Sequence, residues 1–281
     1  MRAFIFPGQG SQAVGMGKTL AEASAHAREV FQEVDEALGQ HLFKLMSEGP
    51  DDQLTLTENA QPAIMANAIA TLRVLERDGG VTLSGKAAYV AGHSLGEYSA
   101  LCAAGAFDLA TTARLLKTRG QAMQAAVPVG VGAMAALLGA DIDTAQKLAD
   151  AAAEGEVCTV ANDNDPSQVV ISGHKGAVER AVAMVKDYGI KRGVLLPVSA
   201  PFHCPLMQPA ADAIRDLLVQ QVTGRVRWRE SVGAMEEIGV GQFVEFGGKV
   251  LGPMVKRSAS GEVEVTSVIS MDDIEALLKA L

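Results

Sequence analysis

A short stretch, VAGHSLGEYSA at residues 90–100, sets the interpretation of the whole chain. An apolar run from Tyr89 to Ala91 leads into GHSLG, residues 92–96, and residues compatible with a helix follow. Gly-x-Ser-x-Gly between a strand and a helix is typical of a nucleophile elbow, because the turn is sharp and leaves no room for Cβ atoms at the glycines. An ordinary glycine-rich turn can carry the same residues, but the strand and helix predicted on either side favour the elbow.

An elbow makes Ser94 a candidate nucleophile. We expect its Oγ to project from the carboxyl edge of a sheet, with the backbone N–H of Leu95 directed at a developing oxyanion beside a helix N-terminus. A serine hydroxyl also needs a base. His203 is the candidate, since it lies in SAPFHCP, residues 199–205, where two prolines stiffen a loop. The alternative for His203 is a buried histidine that bonds to backbone groups.

The composition is that of an α/β protein. The chain has 281 residues, of which 48% are hydrophobic and 4% aromatic. This length fits one large α/β domain, or such a domain with a smaller one inserted. A core of that size needs neither disulfides nor a metal to fold. Abundant alanine and glycine, with more leucine and valine than aromatic residues, favour helices packed on a parallel sheet.

Charge and cysteine content exclude several classes of partner and site. The formal net charge is −9, so nucleic acid is not an expected partner. Cys102, Cys158 and Cys204 are odd in number and lack the spacing of metal ligands, which indicates free thiols in a reducing cytoplasm. The first ten residues do not resemble a signal peptide, and the apolar stretch 87–110 contains a histidine and two acidic residues, so we expect no membrane segment.

The order of predicted elements divides the chain into two parts. Strands and helices alternate up to a glycine-rich break near residue 130, and a β-α-β-β-α-β order follows, which is typical of a ferredoxin-like unit. Within it the polar run 162–166 is predicted to be a turn between two strands. We therefore predict a hydrolase-like α/β catalytic domain with a mostly parallel sheet, formed by 1–129 and 199–281, and a ferredoxin-like small domain at 130–198.

Several motifs together resemble one family. They are FPGQGSQ at 6–12, GHSLGEY at 92–98, Arg119-Gly120 with Met123, PFHC at 201–204 and VRW at 226–228. In this order they resemble the malonyl-CoA:acyl carrier protein transacylase family, which includes the acyltransferase domains of polyketide and fatty acid synthases. The resemblance runs nearly end to end, and the fold of that family agrees with the order of elements above.

The resemblance implies roles for individual residues. Ser94 would be the acylated nucleophile and His203 the base, while the backbone N–H groups of Gln9 and Leu95 would form the oxyanion hole. In place of a third acidic residue, the family uses a main-chain carbonyl to orient the base, and this carbonyl maps to Gln221.

Arg119 would bind the malonyl carboxylate in this family. Its position in a predicted helix at 109–126 favours, on the sequence alone, a surface arginine. A guanidinium can nevertheless hold a carboxylate through two charge-assisted bonds, and it would reject acetyl groups because they leave its donors unpaired.

The implied function is malonyl transfer from malonyl-CoA to the phosphopantetheine thiol of acyl carrier protein, for fatty acid biosynthesis. It requires no metal or redox cofactor, and we expect a cytoplasmic monomer. The carrier is acidic, so a basic patch is expected. The candidates are Lys186, Lys191, Arg192, Arg225, Arg227 and Arg229. The alternative for each is an ordinary solvated side chain with no role in binding. The rival functions are a serine esterase or thioesterase, an acyltransferase of a polyketide synthase, and a non-catalytic carrier-binding protein.

One departure from the family pattern affects the site. After Ala213 the family continues a helix, then adds a strand and a further helix, whereas this chain goes directly to Ile214. Either the segment was lost, which would open the sheet, or its residues are missing from the sequence in hand. We favour the second explanation, and the assignment of Gln221 depends on this junction. A smaller departure is the absence of a proline between Gly247 and Gly248.

Overall fold

The structure is a computed structural model that describes residues 1–128, 130–198, 200–212 and 221–281. Its residues divide into two compact units, one formed by Met1–Thr118 with Met235–Leu281 and the other by Arg119–Ala234. The second unit includes the predicted small domain at 130–198 and extends beyond it on both sides. The domain boundaries at 129/130 and 198/199 stay a prediction.

Six helices lie between the first two strands of the described residues, and the predicted β-α-β-β-α-β order follows in the second part of the chain. The strands are β1 (Arg2–Phe6), β2 (Tyr89–Gly92), β3 (Gly132–Leu138), β4 (Cys158–Asp165), β5 (Gln168–His174), β6 (Arg192–Leu195), β7 (Gln242–Phe246) and β8 (Glu264–Val268). The helices are α1 (Lys18–Ala23), α2 (Ala25–Leu38), α3 (Leu42–Glu48), α4 (Asp51–Thr55), α5 (Thr57–Arg77), α6 (Leu83–Lys86), α7 (Gly96–Ala103), α8 (Leu109–Ala126), α9 (Ile142–Ala153), α10 (Lys175–Met184), α11 (Gln208–Asp212), α12 (Trp228–Glu237), α13 (Leu251–Ser258) and α14 (Met271–Ala280).

The sheet of the first unit is parallel and has the order β2-β1-β7-β8. Its strands are short and apolar, and the rings of Phe4 and Phe6 lie 4.8 and 6.0 Å from that of Phe246. Helix α5 is buried along most of its length, as expected of a helix in a core. Ser24 separates α1 from α2, because its side chain caps the start of α2 by accepting the N–H of Ala27.

The second unit contains an antiparallel sheet with the order β4-β5-β3-β6. Helices α9 and α10 cover it with a core of small and aliphatic side chains. Together with the parallel sheet of the first unit, this topology confirms the predicted fold class, a hydrolase-like α/β core and a ferredoxin-like unit.

The predicted turn at 162–166 is wrong, because β4 continues through Asp165. The four polar residues of that segment are buried, and register shifts follow Val160 and Asp163 in the pairing with β5. Asp163 is stabilised there by Arg229, whose guanidinium donates to its carboxylate at 2.8–3.1 Å. A cation distant in the sequence thus stabilises Asp163 within a strand, although aspartate usually favours turns.

The junction after Ala213 belongs to the chain itself. The full sequence is continuous from Ala213 to Ile214, so the explanation we favoured, missing residues, is wrong. Residues 213–220 lie outside the described residues. Within the described part, β2 is the end strand of its sheet, and Tyr89 at its start is 40% exposed. None of the helices that the structure describes combines the length and hydropathy needed to cross a lipid bilayer.

Candidate active site

The carboxyl ends of β1 and β2 bring two functional loops together. The strands are parallel and in register, with Phe6 opposite Gly92. The loop beyond β1 and the turn beyond β2 therefore leave the sheet at the same edge. A backbone hydrogen bond from the N–H of His93 to the carbonyl oxygen of Phe6, 3.0 Å long, continues the pairing into the turn.

Ser94 lies on a turn with elbow geometry. Its φ is 53°, in the left-handed region that a residue with a Cβ rarely adopts. A Cβ on Gly92 would overlap the backbone of Gly96 and Glu97, and a Cβ on Gly96 would overlap the carbonyl oxygen of Phe6. Both glycines of the motif are therefore required by close backbone packing. The sequence prediction of an elbow rests on this same constraint.

Leu95 follows Ser94 and immediately precedes α7. The first N–H groups of the helix, those of Gly96, Glu97 and Tyr98, donate to the carbonyl oxygens of His93, Ser94 and Leu95 at 2.9–3.0 Å. The side chain of Leu95 is buried, which holds this residue in place. Leu95 is the residue directly after the nucleophile. In an oxyanion hole of the elbow type, the backbone N–H at this position is one of the donors.

The loop that carries Gln9 packs directly against the elbow. A Cβ on Gly8 would lie 2.7 Å from the carbonyl oxygen of His93, so glycine is required at this approach. The hydroxyl of Ser11 donates to the carbonyl oxygen of Gly8 at 2.9 Å, and the side-chain Nε2 of Gln9 donates to Oγ1 of Thr57 at 3.2 Å. The first bond stabilises the loop internally, and the second ties the side chain of Gln9 to the start of α5.

In the second unit, His203 is buried and its ring is oriented by backbone carbonyls. It is 4% exposed and has a φ of 54°. Its Nδ1 lies 2.9 Å from the carbonyl oxygen of Gln221 and 3.1 Å from that of Gly224. Because a carbonyl oxygen only accepts, Nδ1 carries the proton in neutral histidine, and Nε2 carries the lone pair that a general base uses.

Cys204, the neighbour of His203, is fully buried. Its Sγ donates to the carbonyl oxygen of Pro201 at 3.2 Å. Burial raises the pKa of the Cys204 thiol, so little thiolate forms near neutral pH. This residue is therefore poorly suited to compete with Ser94 as a nucleophile.

Arg119 is also buried, with 1% of its surface exposed, so the interpretation of a surface arginine is wrong. It lies in α8, and its Nη2 donates to the side-chain Oε1 of Gln221 at 3.0 Å. A buried guanidinium is costly unless it is bonded, and such an arginine is usually retained to bind an anion or to hold a fixed network.

The chain matches the acyl transferase domain family over residues 3–236. It belongs to this family. A malonyl CoA-acyl carrier protein transacylase of Escherichia coli (strain K12) is 42% identical over 311 residues, covering 99% of this chain and 98% of that protein. An acyl-carrier-protein S-malonyltransferase structure from Bartonella henselae is 48% identical with a TM-score of 0.94, covering 99% and 98% of the two chains. The family resemblance drawn from the motifs is thereby confirmed.

A further structural relative contains a bound carrier. It is a malonyl-transacylase in complex with its type II PKS acyl-carrier protein, 36% identical with a TM-score of 0.93, covering 100% of this chain and 99% of that chain. The alignment with the Escherichia coli protein spans 311 residues, whereas this chain has 281. That relative therefore contains residues without a counterpart in this acyltransferase.

The predicted site residues fall into two groups, each within one unit. Ser94, Leu95 and Gln9 lie around the elbow, and Arg119, His203 and Gln221 are linked by hydrogen bonds. Sequence reasoning missed the second function of Gln221, whose side chain holds Arg119 while its carbonyl faces His203. It also missed Thr57, the partner of Gln9. No motif surrounds either residue, so the sequence contains no local signal for them.

The basic residues proposed for carrier binding differ in their surroundings. Lys186, Lys191 and Arg192 are exposed. The three arginines near α12 form ion pairs instead: Arg225 and Arg227 donate to Glu230 at 2.8 Å, and Arg229 donates to Asp163. Because acidic partners offset much of their charge, this second group is the weaker candidate for attracting an acidic protein.

Proposed function

We propose that this acyltransferase transfers a malonyl group from malonyl-CoA to the phosphopantetheine thiol of acyl carrier protein, for fatty acid biosynthesis, through a malonyl ester on Ser94. Membership of the acyl transferase family and the names of its relatives support the reaction class and the two substrates. The observation that carries the proposal is the backbone of Ser94, which has a positive φ and lies between two glycines that tolerate no Cβ.

The first half of the reaction forms the acyl-enzyme. Ser94 Oγ attacks the thioester carbonyl carbon and gives its proton to Nε2 of His203, as the tautomer set by the Gln221 carbonyl allows. The N–H groups of Gln9 and Leu95 stabilise the oxyanion. When the intermediate collapses, the C–S bond breaks, and the departing sulfur of CoA takes the proton from His203. The products are CoA-SH and the malonyl-serine ester.

The second half repeats these steps with a different thiol. The phosphopantetheine thiol of the carrier loses its proton to His203 and attacks the ester carbonyl. The same donors stabilise the oxyanion, the C–O bond to Ser94 breaks, and Oγ recovers the proton. No oxidation or reduction occurs, so the chemistry requires no metal or redox cofactor. Positioned donors and one base are sufficient.

Arg119 gives the proposed site its preference for malonyl over acetyl groups. Its burial supports this role, because a buried guanidinium can form charge-assisted bonds with the free carboxylate of malonyl-CoA. A serine esterase or thioesterase of unselective type has no use for such a residue. Arg119 therefore argues for an acyltransferase that selects a dicarboxylic acyl group. We further propose that the enzyme works in the cytoplasm as a monomer.

A carrier of polyketide synthesis is the second candidate partner. The relative solved with a type II PKS carrier, at 36% identity, favours including it. The test is a transfer assay with malonyl-CoA and either a fatty-acid-type or a polyketide-type holo carrier, followed by intact mass measurement of the carrier. We expect the malonyl mass on the fatty-acid-type carrier at the higher rate. Release of free malonate without any carrier adduct would contradict the transferase assignment and indicate a thioesterase.

A further inference from the structure

Gln221 contributes two oxygen atoms to two different site residues. Its backbone carbonyl lies 2.9 Å from Nδ1 of His203, and its side-chain Oε1 accepts a hydrogen bond from Nη2 of Arg119 at 3.0 Å. The orientation of the base depends on the backbone, which every residue possesses. The contact with Arg119 depends on the side chain, and therefore on this position being glutamine.

The side chain of glutamine has a specific property at this contact. An amide oxygen accepts from a guanidinium and fixes its direction, but it is neutral and adds no negative charge beside it. A carboxylate of the same size would bond to the guanidinium more strongly and would neutralise it. A neutral amide beside the guanidinium therefore favours binding of a substrate carboxylate, whereas a carboxylate at the same position would oppose it.

We propose that the side chain of Gln221 is a specificity-determining positioning residue, which holds the Arg119 guanidinium in place as a neutral acceptor and so reserves its charge for the carboxylate of the acyl substrate. This inference rests on the proposed function, because it needs Arg119 to bind that carboxylate. It goes further in assigning selectivity to a second residue, which acts through Arg119 and does not form or break bonds.

Two substitutions separate the parts of this proposal. Gln221→Glu keeps the size and adds an anion that pairs with Arg119 and repels the substrate carboxylate. Gln221→Met keeps the approximate size and removes the acceptor without adding charge. Both retain the backbone carbonyl that faces His203. Gln32→Glu, on an exposed position of α2, is the control for the added charge alone.

The experiment measures kcat and KM for malonyl-CoA and acetyl-CoA with the intact enzyme and its holo carrier. For Gln221→Glu we expect the malonyl kcat/KM to fall roughly 10- to 100-fold, mainly through a higher KM. This is the loss expected when the substrate carboxylate no longer forms a hydrogen bond with the charged Arg119. Acetyl kcat/KM should stay within a few-fold of the wild-type value. Gln221→Met should lower the malonyl value less, and Gln32→Glu should change neither.

Equal losses for both substrates in Gln221→Glu and Gln221→Met, or an unchanged malonyl-to-acetyl ratio in both, would overturn the inference. If Gln221→Glu does not fold, as judged by circular dichroism and its melting temperature, the ratio in Gln221→Met decides. A wild-type enzyme that transfers no malonyl group would refute the proposed function itself. A wild-type preference for malonyl that Arg119→Ala abolishes and Gln221→Glu preserves would refute this inference alone.

Discussion

The backbone carbonyl oxygen of Gln221 accepts a hydrogen bond from Nδ1 of His203 over 2.9 Å. A neutral carbonyl fixes the tautomer of the imidazole as a carboxylate would, although it stabilises the protonated ring less. Gly224 provides a second carbonyl oxygen at 3.1 Å, so two backbone groups share this orientation. His203 is consequently oriented as a base by backbone carbonyls.

Loss of the His203 imidazole should slow formation of the acyl-enzyme. We expect His203→Ala to lower the acylation rate by at least ~10²-fold, the usual contribution of a general base. Added imidazole should restore part of the rate, since it can replace the lost base. Rapid-quench measurement of the acyl-enzyme gives both rates. Near wild-type acylation in His203→Ala would instead assign the residue to a structural role.

Loss of the Arg119 guanidinium should remove selectivity for malonyl groups. Arg119→Ala takes away the positive partner of the substrate carboxylate, and truncating one side of a buried charged pair costs about 2–5 kcal/mol. Malonyl transfer should therefore fall roughly 30-fold to several thousand-fold. Acetyl transfer should hold steady or improve, because no guanidinium donor is then left unpaired. Equal losses in the two kcat/KM values would show that Arg119 only supports the fold.

The glycines of the elbow should tolerate no side chain. In Gly96→Ala the new Cβ would overlap the carbonyl oxygen of Phe6 and lie 2.9 Å from that of Pro7. We expect a loss of about 1–3 kcal/mol or more in stability, together with loss of acyl-enzyme formation. The matched control is Gly233→Ala in α12, where nothing lies within 4 Å of the new Cβ.

In that control the same substitution should stabilise the protein by about 0.5–1 kcal/mol, because alanine favours a helix more than glycine does. Thermal unfolding of the two variants measures both effects. A Gly96→Ala protein as stable and active as Gly233→Ala would rule out the close packing of the elbow.

Glu245 should be a determinant of stability, although it takes no part in the chemistry. Its buried carboxylate accepts the N–H groups of Val250, Leu251 and Gly252, at 2.8–3.0 Å, where α13 begins. Glu245→Ala would leave these donors without that acceptor, and each unsatisfied buried group costs about 1–3 kcal/mol. Denaturant unfolding should show a loss of several kcal/mol in total, against about ±0.5 kcal/mol for the exposed Glu275→Ala. Comparable values for the two variants would contradict this role.

The sequence predicted those features whose causes are local. The elbow follows from glycine spacing around Ser94, between an apolar run and a helix-compatible segment. This prediction needs only neighbouring residues.

The features that were missed depend on residues distant in the chain. Asp163 lies in a strand because Arg229, 66 positions away, pairs with it, and Gln221 meets Arg119 across 102 positions. No periodicity or motif encodes such a pair.

In the proposed reaction Ser94 carries the acyl group. The most direct test is intact and peptide mass spectrometry of the enzyme after mixing with malonyl-CoA alone, in wild type, Ser94→Ala and Cys204→Ala. We expect one malonyl adduct on the peptide that contains Ser94, absent from Ser94→Ala, retained in Cys204→Ala, and lost when holo carrier is added. Burial and the raised pKa of Cys204 make it a poor alternative. An adduct that persists in Ser94→Ala and disappears in Cys204→Ala would contradict the account.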